Sequence, residues 1–176
     1  MSGHSHWKQI QHKKGSADQR RGKLFSKLLQ AISIAAKTDP NPQFNPRLRT
    51  AVEKAKENKV PQENIERAIS KASEIKNLED LVVEAYGPEG TAIIIEAITD
   101  NKNRTMTDIK IILNKNGAKL ANPGSVLWAF DPPADGKGWQ AKFPQTVSED
   151  AKIKLQELLT SLEDQDDIQK VITNAT

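Results

Sequence analysis

The fold is decided by residues 81–98, LVVEAYGPEGTAIIIEAI, in which two runs rich in Val and Ile flank a turn. Such runs favour strands, and Gly87-Pro88-Glu89-Gly90 between them has the composition of a tight connection. The pattern predicts a β-hairpin. The same four residues do not indicate a phosphate-binding loop, because no helix with a Lys-Ser/Thr pair follows them.

The rest of residues 78–176 alternates helical and extended patterns. A helix bearing Met106, Ile109, Ile112 and Leu113 is capped by Asn103 or a nearby side chain in the polar stretch 99–105, and it ends at Asn116-Gly117. We expect a strand at Ser125–Phe130, a loop at 132–138 and a partly extended segment at 139–147. A second helix follows the cap Ser148-Glu149-Asp150, with a buried face of Ile153, Leu155, Leu158, Leu159 and Leu162, and Ile168–Thr173 is a final strand. These elements predict an α+β sandwich, with the strands in one layer and two helices in the other.

Residues 1–77 have helical periodicity instead. Ser16 caps a first helix in which Leu24, Leu28 and Ile32 recur every fourth residue to about Lys37. A second helix follows Asn45-Pro46 at about 46–58, and a third begins at Pro61. We therefore expect a small three-helix bundle as a separate domain, 1–77. Residues 1–15 show no periodicity and are expected to form an extended basic arm.

Charge is divided unevenly between these two regions. Residues 1–77 contain 16 Lys and Arg against seven Asp and Glu, a net charge of +9, whereas residues 78–176 contain 10 against 16, a net charge of −6. Clustered cations bind phosphates by releasing condensed counterions, and an acidic half orients the protein by repulsion. The division favours a nucleic-acid-binding surface in the N-terminal region over a solvated surface with a chance imbalance.

Composition excludes several classes of protein. The chain has no cysteine, which rules out a disulfide framework and a thiolate metal site. The mean hydropathy is −0.63, and no apolar run is long enough to cross a bilayer. No presequence precedes the first motif. We expect a soluble, cytoplasmic protein that does not contact a membrane.

The most distinctive segment is GHSHWKQIQHKKG, residues 3–15, which contains all three histidines of the chain. An indole at Trp7 can stack on a base, His4, His6 and His12 can stack or donate hydrogen bonds, and Lys8, Lys13 and Lys14 can bind phosphates. The alternative is a disordered tail. Zinc is the weakest interpretation, because the histidines lack a nearby acidic ligand and a rigid support.

The start of the first helix continues this basic strip. Arg20, Arg21 and Lys23 extend it, so the predicted nucleic-acid-binding residues run from His4 to Lys23. Gly22 within the helix costs roughly 1 kcal/mol relative to alanine, which indicates close approach of a packed neighbour or a phosphate.

No pattern typical of an enzyme is present. We find no nucleophile paired with a base, no rigid metal cluster and no cleft of paired carboxylates, and we expect no cofactor and no metal. The acidic run at 163–167 is interpreted as a solvated turn. A histidine- or metal-dependent nuclease is the rival from another class; it predicts cleavage that a chelator or His12→Ala abolishes.

Several motifs together resemble one known family. They are Gly3-His4-Ser5-His6-Trp7-Lys8, His12-Lys13-Lys14, Arg21-Gly22-Lys23-Leu24-Phe25, Asn45-Pro46-Arg47-Leu48-Arg49, Pro61-Gln62-Glu63-Asn64-Ile65-Glu66-Arg67-Ala68-Ile69, Tyr86-Gly87-Pro88-Glu89-Gly90 and Thr99-Asp100-Asn101-Lys102-Asn103-Arg104-Thr105. The chain resembles the YebC/PmpR family through about residue 130 and again at residues 162–168.

The resemblance implies a non-enzymatic regulator of gene expression. The family includes a mitochondrial translational activator of cytochrome c oxidase. Some members are named DNA-binding transcriptional regulators, whereas others are described as acting on the ribosome and assisting synthesis of difficult sequences such as proline runs. We favour a ribosome-associated translation factor that binds ribosomal or transfer RNA, because the aromatic and histidine-rich arm suits unpaired RNA, and no helix-turn-helix recognition helix is evident. DNA remains the alternative ligand.

One departure from the family lies between Phe130 and the last helix. Family members usually carry a third domain inserted there, whereas this chain has only residues 132–147 in that interval. The chain is therefore expected to be a shortened member that lacks the usual third domain.

Overall fold

A computed structural model describes the backbone at residues 3–134 and 138–176, and the side chains at residues 15–134 and 138–176. Contacts divide the chain into two compact units, Met1–Glu74 and Ile75–Thr176. We call them the N-terminal unit and the C-terminal unit and describe each by itself.

The N-terminal unit is a bundle of three helices. They are α1 (Gly3–Ala36), α2 (Pro46–Glu57) and α3 (Gln62–Ser70), followed by a 3-10 turn at Ala72–Glu74. Its core combines Leu28 and Ile32 of α1, Leu48 and Ala55 of α2, and Ile65 of α3. The predicted three-helix bundle is confirmed.

Helix α1 corrects two expectations. It begins at Gly3 rather than at Ser16, so the prediction of an extended arm over residues 1–15 is wrong. Lys and Gln are good helix formers, so a polar segment can extend a packed helix without presenting an apolar stripe of its own. Leu24, expected on the apolar stripe, is 41% exposed, and the first buried residue among the described side chains of α1 is Leu28.

The connection from α1 to α2 is fixed by one buried side chain. Asn45 Oδ1 accepts a hydrogen bond from the backbone N–H of Leu48 at 3.0 Å, which makes Asn45 the N-cap of α2 as predicted. Its Nδ2 donates to the carbonyl oxygens of Ala35 and Asp39 at 2.7 and 2.8 Å. A single amide therefore joins the end of α1, the loop and the start of α2.

The C-terminal unit is an α+β sandwich. Its elements are β1 (Glu79–Tyr86), β2 (Ala92–Thr99), α4 (Lys102–Lys115), β3 (Lys119–Leu120), β4 (Phe130–Asp131), β5 (Gln140–Ala141), α5 (Glu149–Glu163) and β6 (Ile168–Thr173). Four strands form an antiparallel sheet in the order β3-β1-β2-β6, and β4 pairs with β5. The predicted hairpin is β1 and β2, with Tyr86 opposite Ala92.

Both faces of this sheet are covered. On one face α4 and α5 pack against alternate strand residues, as in the contact of Ile109 and Leu158 with Val83, Ile95 and neighbouring side chains. On the other face Ile94 packs with Val126 and Phe130 of the segment that follows β3. A central strand buried on both sides needs a continuous apolar run, which explains the sequence of β2.

Two predictions for this unit are wrong. Ser125–Phe130 is not a strand: it contains a 3-10 turn at Leu127–Ala129, and only its last residue enters β4. The buried carboxylate of Glu84 on β1 accepts the backbone N–H groups of Val126 and Leu127 at 2.7 and 3.1 Å, which removes them from strand pairing. Ile153 is 61% exposed, because α5 turns Ala151, Leu155, Leu158 and Leu162 toward the core instead.

Candidate nucleic-acid interface

Helix α1 carries the largest net positive charge of the helices. It contains seven Lys and Arg residues and one acidic residue, Asp18. Among the described side chains, Arg20 and Arg21 are exposed and Lys23 is partly buried. Arg20 and Lys23 lie one turn apart on a side of the helix different from the one that Leu28 and Ile32 turn to the core. These three predicted residues therefore lie within about one turn of α1, with Arg21 and Lys23, two positions apart, projecting from different sides of the helix.

Arg21 is held against the helix surface by an aromatic ring. Its guanidinium carbon lies 5.2 Å from the centroid of Phe25, which packs against the core of the unit. This cation–π contact orders the guanidinium without neutralising its charge. A guanidinium ordered in this way retains N–H donors that suit the oxygens of a phosphate.

Gly22 lies between these cations and is exposed. A Cβ atom placed there would meet no atom within 4 Å, so packing against a neighbour does not explain the glycine. The space beside it stays open to a ligand.

The seven predicted site residues that precede Gly15 have side chains outside the described residues. They are His4, His6, Trp7, Lys8, His12, Lys13 and Lys14. Their backbone belongs to α1, and Lys13 is seven residues, or about two turns, before Arg20. Their contacts stay a prediction.

Other cations of the N-terminal unit have structural roles. Arg49 donates from Nε to the carbonyl oxygen of Pro42 at 3.2 Å and from Nη2 to that of Gln43 at 3.0 Å. Arg67 forms an ion pair with Glu63 one turn earlier on α3, at 2.8 Å. Their positive charge still adds to the field of the unit, while their geometry stabilises the loop and α3.

Sequence analysis did not identify one exposed aromatic residue of this unit as a candidate site residue. Phe44, in the loop between α1 and α2, is 74% exposed and stands directly before the buried cap Asn45. The sequence carried a weak signal, since a large aromatic residue falls between two prolines and outside every helical apolar stripe.

The C-terminal unit contains a polar cluster at the start of α4 with a different character. Arg104 Nη2 lies 2.9 Å from carboxylate oxygens of both Asp100 and Asp167, and Thr105 Oγ1 donates to Asp167 at 2.7 Å. Asn101, rather than Asn103, caps the helix by accepting from the N–H of Arg104 at 3.1 Å. The predicted capping role of this stretch is confirmed, and the cluster also joins α4 to the residue that precedes β6.

The carboxyl group of Asp167 is buried, and its surroundings determine its charge state. Burial raises the pKa of Asp167, but hydrogen bonds from Thr105, Arg104 and Gln165 together outweigh it and hold the pKa below its ordinary value. Asp167 therefore stays ionised at neutral pH and acts as the acceptor at the centre of the cluster.

Two kinds of feature are absent from the described part of the chain. No group of three His, Asp or Glu side chains there is placed to hold a metal ion. None of the described helices combines the length and the apolar character that crossing a membrane requires.

The architecture defines a two-unit α+β protein, in which a basic helical unit precedes a sheet unit. The TACO1/YebC protein N-terminal domain matches residues 5–75, and the TACO1/YebC second and third domain matches residues 78–134. A probable transcriptional regulatory protein of Desulfosudis oleivorans is 41% identical over 179 residues, which cover 98% of this chain and 71% of that protein. The chain belongs to the TACO1/YebC family, which confirms the resemblance found in its motifs.

Other relatives match over a shorter part. A probable transcriptional regulatory protein of Aquifex aeolicus is 48% identical over 135 residues, covering 74% of this chain and 54% of that protein. One from Natranaerobius thermophilus is 52% identical over 135 residues with the same coverage. The chain thus spans about half the length of several curated relatives that it matches.

A solved structure has the same fold. The crystal structure of a conserved hypothetical protein from Aquifex aeolicus superposes with a TM-score of 0.82 at 31% identity, covering 90% of this chain and 91% of that one. The helical N-terminal region followed by a sheet domain is therefore the family's architecture, and the predicted α+β fold class is confirmed.

Proposed function

We propose that the protein is a non-enzymatic, nucleic-acid-binding regulator of gene expression, and that the N-terminal unit contacts the nucleic acid. The observation that carries this proposal is the basic strip Arg20, Arg21 and Lys23 on α1. The N-terminal unit has 15 Lys and Arg against seven Asp and Glu, a net charge of +8, and the C-terminal unit has 11 against 16, a net charge of −5. Such a division attracts phosphates to one unit and repels them from the other.

Within this class we favour a translation factor that binds ribosomal or transfer RNA on the ribosome. The predicted aromatic and histidine residues Trp7, His4, His6 and His12 suit stacking on unpaired bases. Helix α3, which follows α2 after a short connection, exposes Glu63 and Glu66. Acidic side chains on that helix are unfavourable beside the phosphates that border a DNA groove, which argues against α3 as a recognition helix of the helix-turn-helix kind.

A DNA-binding transcriptional regulator is the second candidate. The names of the relatives from Aquifex aeolicus and Desulfosudis oleivorans favour it. This function predicts an affinity for duplex DNA that depends on sequence at physiological salt, which footprinting on promoter DNA would reveal.

Crosslinking in living cells, followed by sequencing of the RNA and DNA recovered with the protein, separates the two candidates. Enrichment of ribosomal or transfer RNA supports the translation function. Discrete promoter DNA without RNA overturns it in favour of transcriptional control. A matched variant in which Arg20, Arg21 and Lys23 are Ala should recover less of either nucleic acid.

A further inference from the structure

Phe44 is a large apolar side chain that does not pack into the core of the N-terminal unit. It is 74% exposed, more than Trp128, Ile153 or any other large hydrophobic residue in the described part of the chain. Single exposed apolar residues are common on protein surfaces, so exposure alone carries no function. The loop that presents Phe44 supplies the further observations.

Hydrogen bonds fix the backbone on both sides of Phe44. The N–H groups of Phe44 and Asn45 both donate to the carbonyl oxygen of Asn41 at 3.1 Å, and the N–H of Gln43 donates to Asn41 Oδ1 at 2.9 Å. Arg49 binds the carbonyl oxygens of Pro42 and Gln43 from the other side. A ring on such a loop can bind a ligand at little cost in conformational entropy.

The sequence on either side of this ring carries a net positive charge. Lys37 precedes the loop, and Arg47 and Arg49 follow it at the start of α2. Asp39 is the acidic residue of the loop, and its Oδ1 accepts the N–H of Asn41 at 2.8 Å. A planar ring in a cationic setting matches a ligand with flat faces and negative charge, which is the chemistry of a nucleotide.

The C-terminal unit offers an instructive contrast. Trp128 and Phe143 are also exposed, but their rings contact each other, with centroids 5.5 Å apart. The indole N–H of Trp128 donates to the carbonyl oxygen of Ser125 at 2.7 Å. Lys142 Nζ lies 5.6 Å from the centroid of Phe143, but the pair belongs to a unit of negative net charge, which repels phosphates overall.

We infer that Phe44 is a stacking platform for an unpaired base, with the cations of the N-terminal unit holding the adjoining phosphates. The inference rests on the proposed function and adds a named contact and a strand preference to it. Bases in a duplex are already stacked on their neighbours, so the exposed ring favours single strands. Helix α1 extends about 24 Å between Arg20 and Ala36 at 1.5 Å per residue, so several nucleotides are needed to reach both sites.

The test uses the full chain and a single-stranded RNA of about 12 nucleotides without self-complementarity, alone and annealed to its complement. Dissociation constants are measured for wild type, Phe44→Leu and Phe44→Trp, with Phe143→Leu as the control for an exposed phenylalanine of the acidic unit. A second RNA carries 2-aminopurine, whose fluorescence falls when it stacks on an aromatic ring. Thermal unfolding confirms that each variant folds.

The expected result is specific to stacking. Phe44→Leu weakens single-strand binding by roughly fivefold or more, leaves duplex binding unchanged and reduces the quenching of 2-aminopurine. Phe44→Trp retains both properties, and Phe143→Leu behaves as wild type. The salt dependence stays the same in every variant, because no phosphate contact is removed.

Other outcomes overturn the inference in distinguishable ways. Wild-type affinity in Phe44→Leu shows that the ring does not stack on a base, while the proposed function stands. If Phe44→Leu binds RNA normally but loses a protein from pull-downs, the ring is a protein-docking residue. No binding of either RNA by the wild-type chain rejects the inference together with the RNA-binding function, and leaves the DNA-binding candidate to footprinting.

Discussion

Positive charge is organised differently in the two units. On α1, Arg20 and Arg21 are exposed along a helix that contains one acidic residue. In the C-terminal unit, Arg104 lies between Asp100 and Asp167, and the second of these carboxylates is buried. An arginine held by two carboxylates stabilises a fold, whereas an exposed cationic strip attracts polyanions. The placement of acidic partners, more than the number of cations, therefore distinguishes the two units.

The largest effect is expected from Asp167→Ala. This substitution removes the buried carboxylate that accepts hydrogen bonds from Thr105 Oγ1 and Arg104 Nη2. We therefore expect the free energy of unfolding to fall by about 2–4 kcal/mol. Urea unfolding followed by tryptophan fluorescence measures it, since Trp128 and Trp139 belong to the same unit. The control is Asp100→Ala, which removes the exposed partner and should change little. Equal effects from both substitutions would show that burial of Asp167 is unimportant.

The contribution of Asp167 also depends on pH. Because its pKa in the folded protein is below the ordinary 3.8, its stabilisation is complete above that value and is lost as the pH falls through the folded pKa. The difference in unfolding free energy between wild type and Asp167→Ala should therefore narrow below pH 3.8. A difference that stays constant through acid pH would contradict the assignment.

The next largest effect is expected from the predicted phosphate-binding lysines that precede Gly15. Replacing Lys8, Lys13 and Lys14 with Ala should weaken RNA binding and reduce the salt slope of log Kd by roughly 2–3 units if all three contact phosphates. The charge-matched control replaces Lys102, Lys110 and Lys115 of α4, three exposed lysines of the acidic unit, and should leave the slope unchanged. Titrations at several salt concentrations provide both slopes. Equal slopes in the two variants would mean that total charge, and not its location, governs binding.

A smaller difference is expected between two helix caps. Asn45 is buried and forms three side-chain hydrogen bonds, whereas Asn101 is exposed and caps α4 through the N–H of Arg104. Asn45→Ala should cost about 2 kcal/mol and Asn101→Ala about 1 kcal/mol of unfolding free energy. Thermal unfolding of both variants checks the order, and the reverse order would refute the role of Asn45 as the joint between α1 and α2.

The smallest effect concerns two residues with left-handed backbone. Lys59, after α2, has φ 62°, and Glu89, in the β1–β2 turn, has φ 55°. Lys59→Gly relieves the strain and should stabilise the protein by about 0.5–1 kcal/mol. Glu89→Gly should increase stability less than Lys59→Gly does, because it removes a carboxylate that accepts hydrogen bonds from Ser148. The same hydrogen bonds lower the pKa of Glu89. A larger gain at Glu89 than at Lys59 in thermal unfolding would show that those bonds add no stability.

Local patterns predicted the elements whose partners are near in sequence. The β1–β2 hairpin, the cap at Asn45, the glycine at Gly117 and the cap at Ser148 are all determined within a few residues. Ser125–Phe130 was mistaken for a strand because its conformation depends on Glu84, about 40 positions earlier. Ile153 was misassigned because a helix rich in leucine has more than one possible apolar stripe, and only packing selects between them.

The candidate site shows the same limit. Charge clustering predicts where cations gather along the chain, and Arg20, Arg21 and Lys23 lie within about one turn of α1, but their contacts with a nucleic acid stay a prediction. The sequence could not reveal that Arg49 is engaged by loop carbonyl groups, since that depends on the three-dimensional path of residues 42–43. Nor could it reveal the exposure of Phe44, which the same path produces.

The strand order of the main sheet has a consequence for synthesis of the protein. Strand β2 lies between β1 and β6, yet β2 ends at Thr99 and β6 begins only at Ile168. During translation, the backbone edge of the isoleucine-rich strand β2 that pairs with β6 therefore stays unpaired while α4, α5 and the segments between them emerge from the ribosome. The helical unit, encoded first and built from contacts within its own 74 residues, can fold during that interval. A nascent chain of this protein would thus present its basic helices before its sheet is closed.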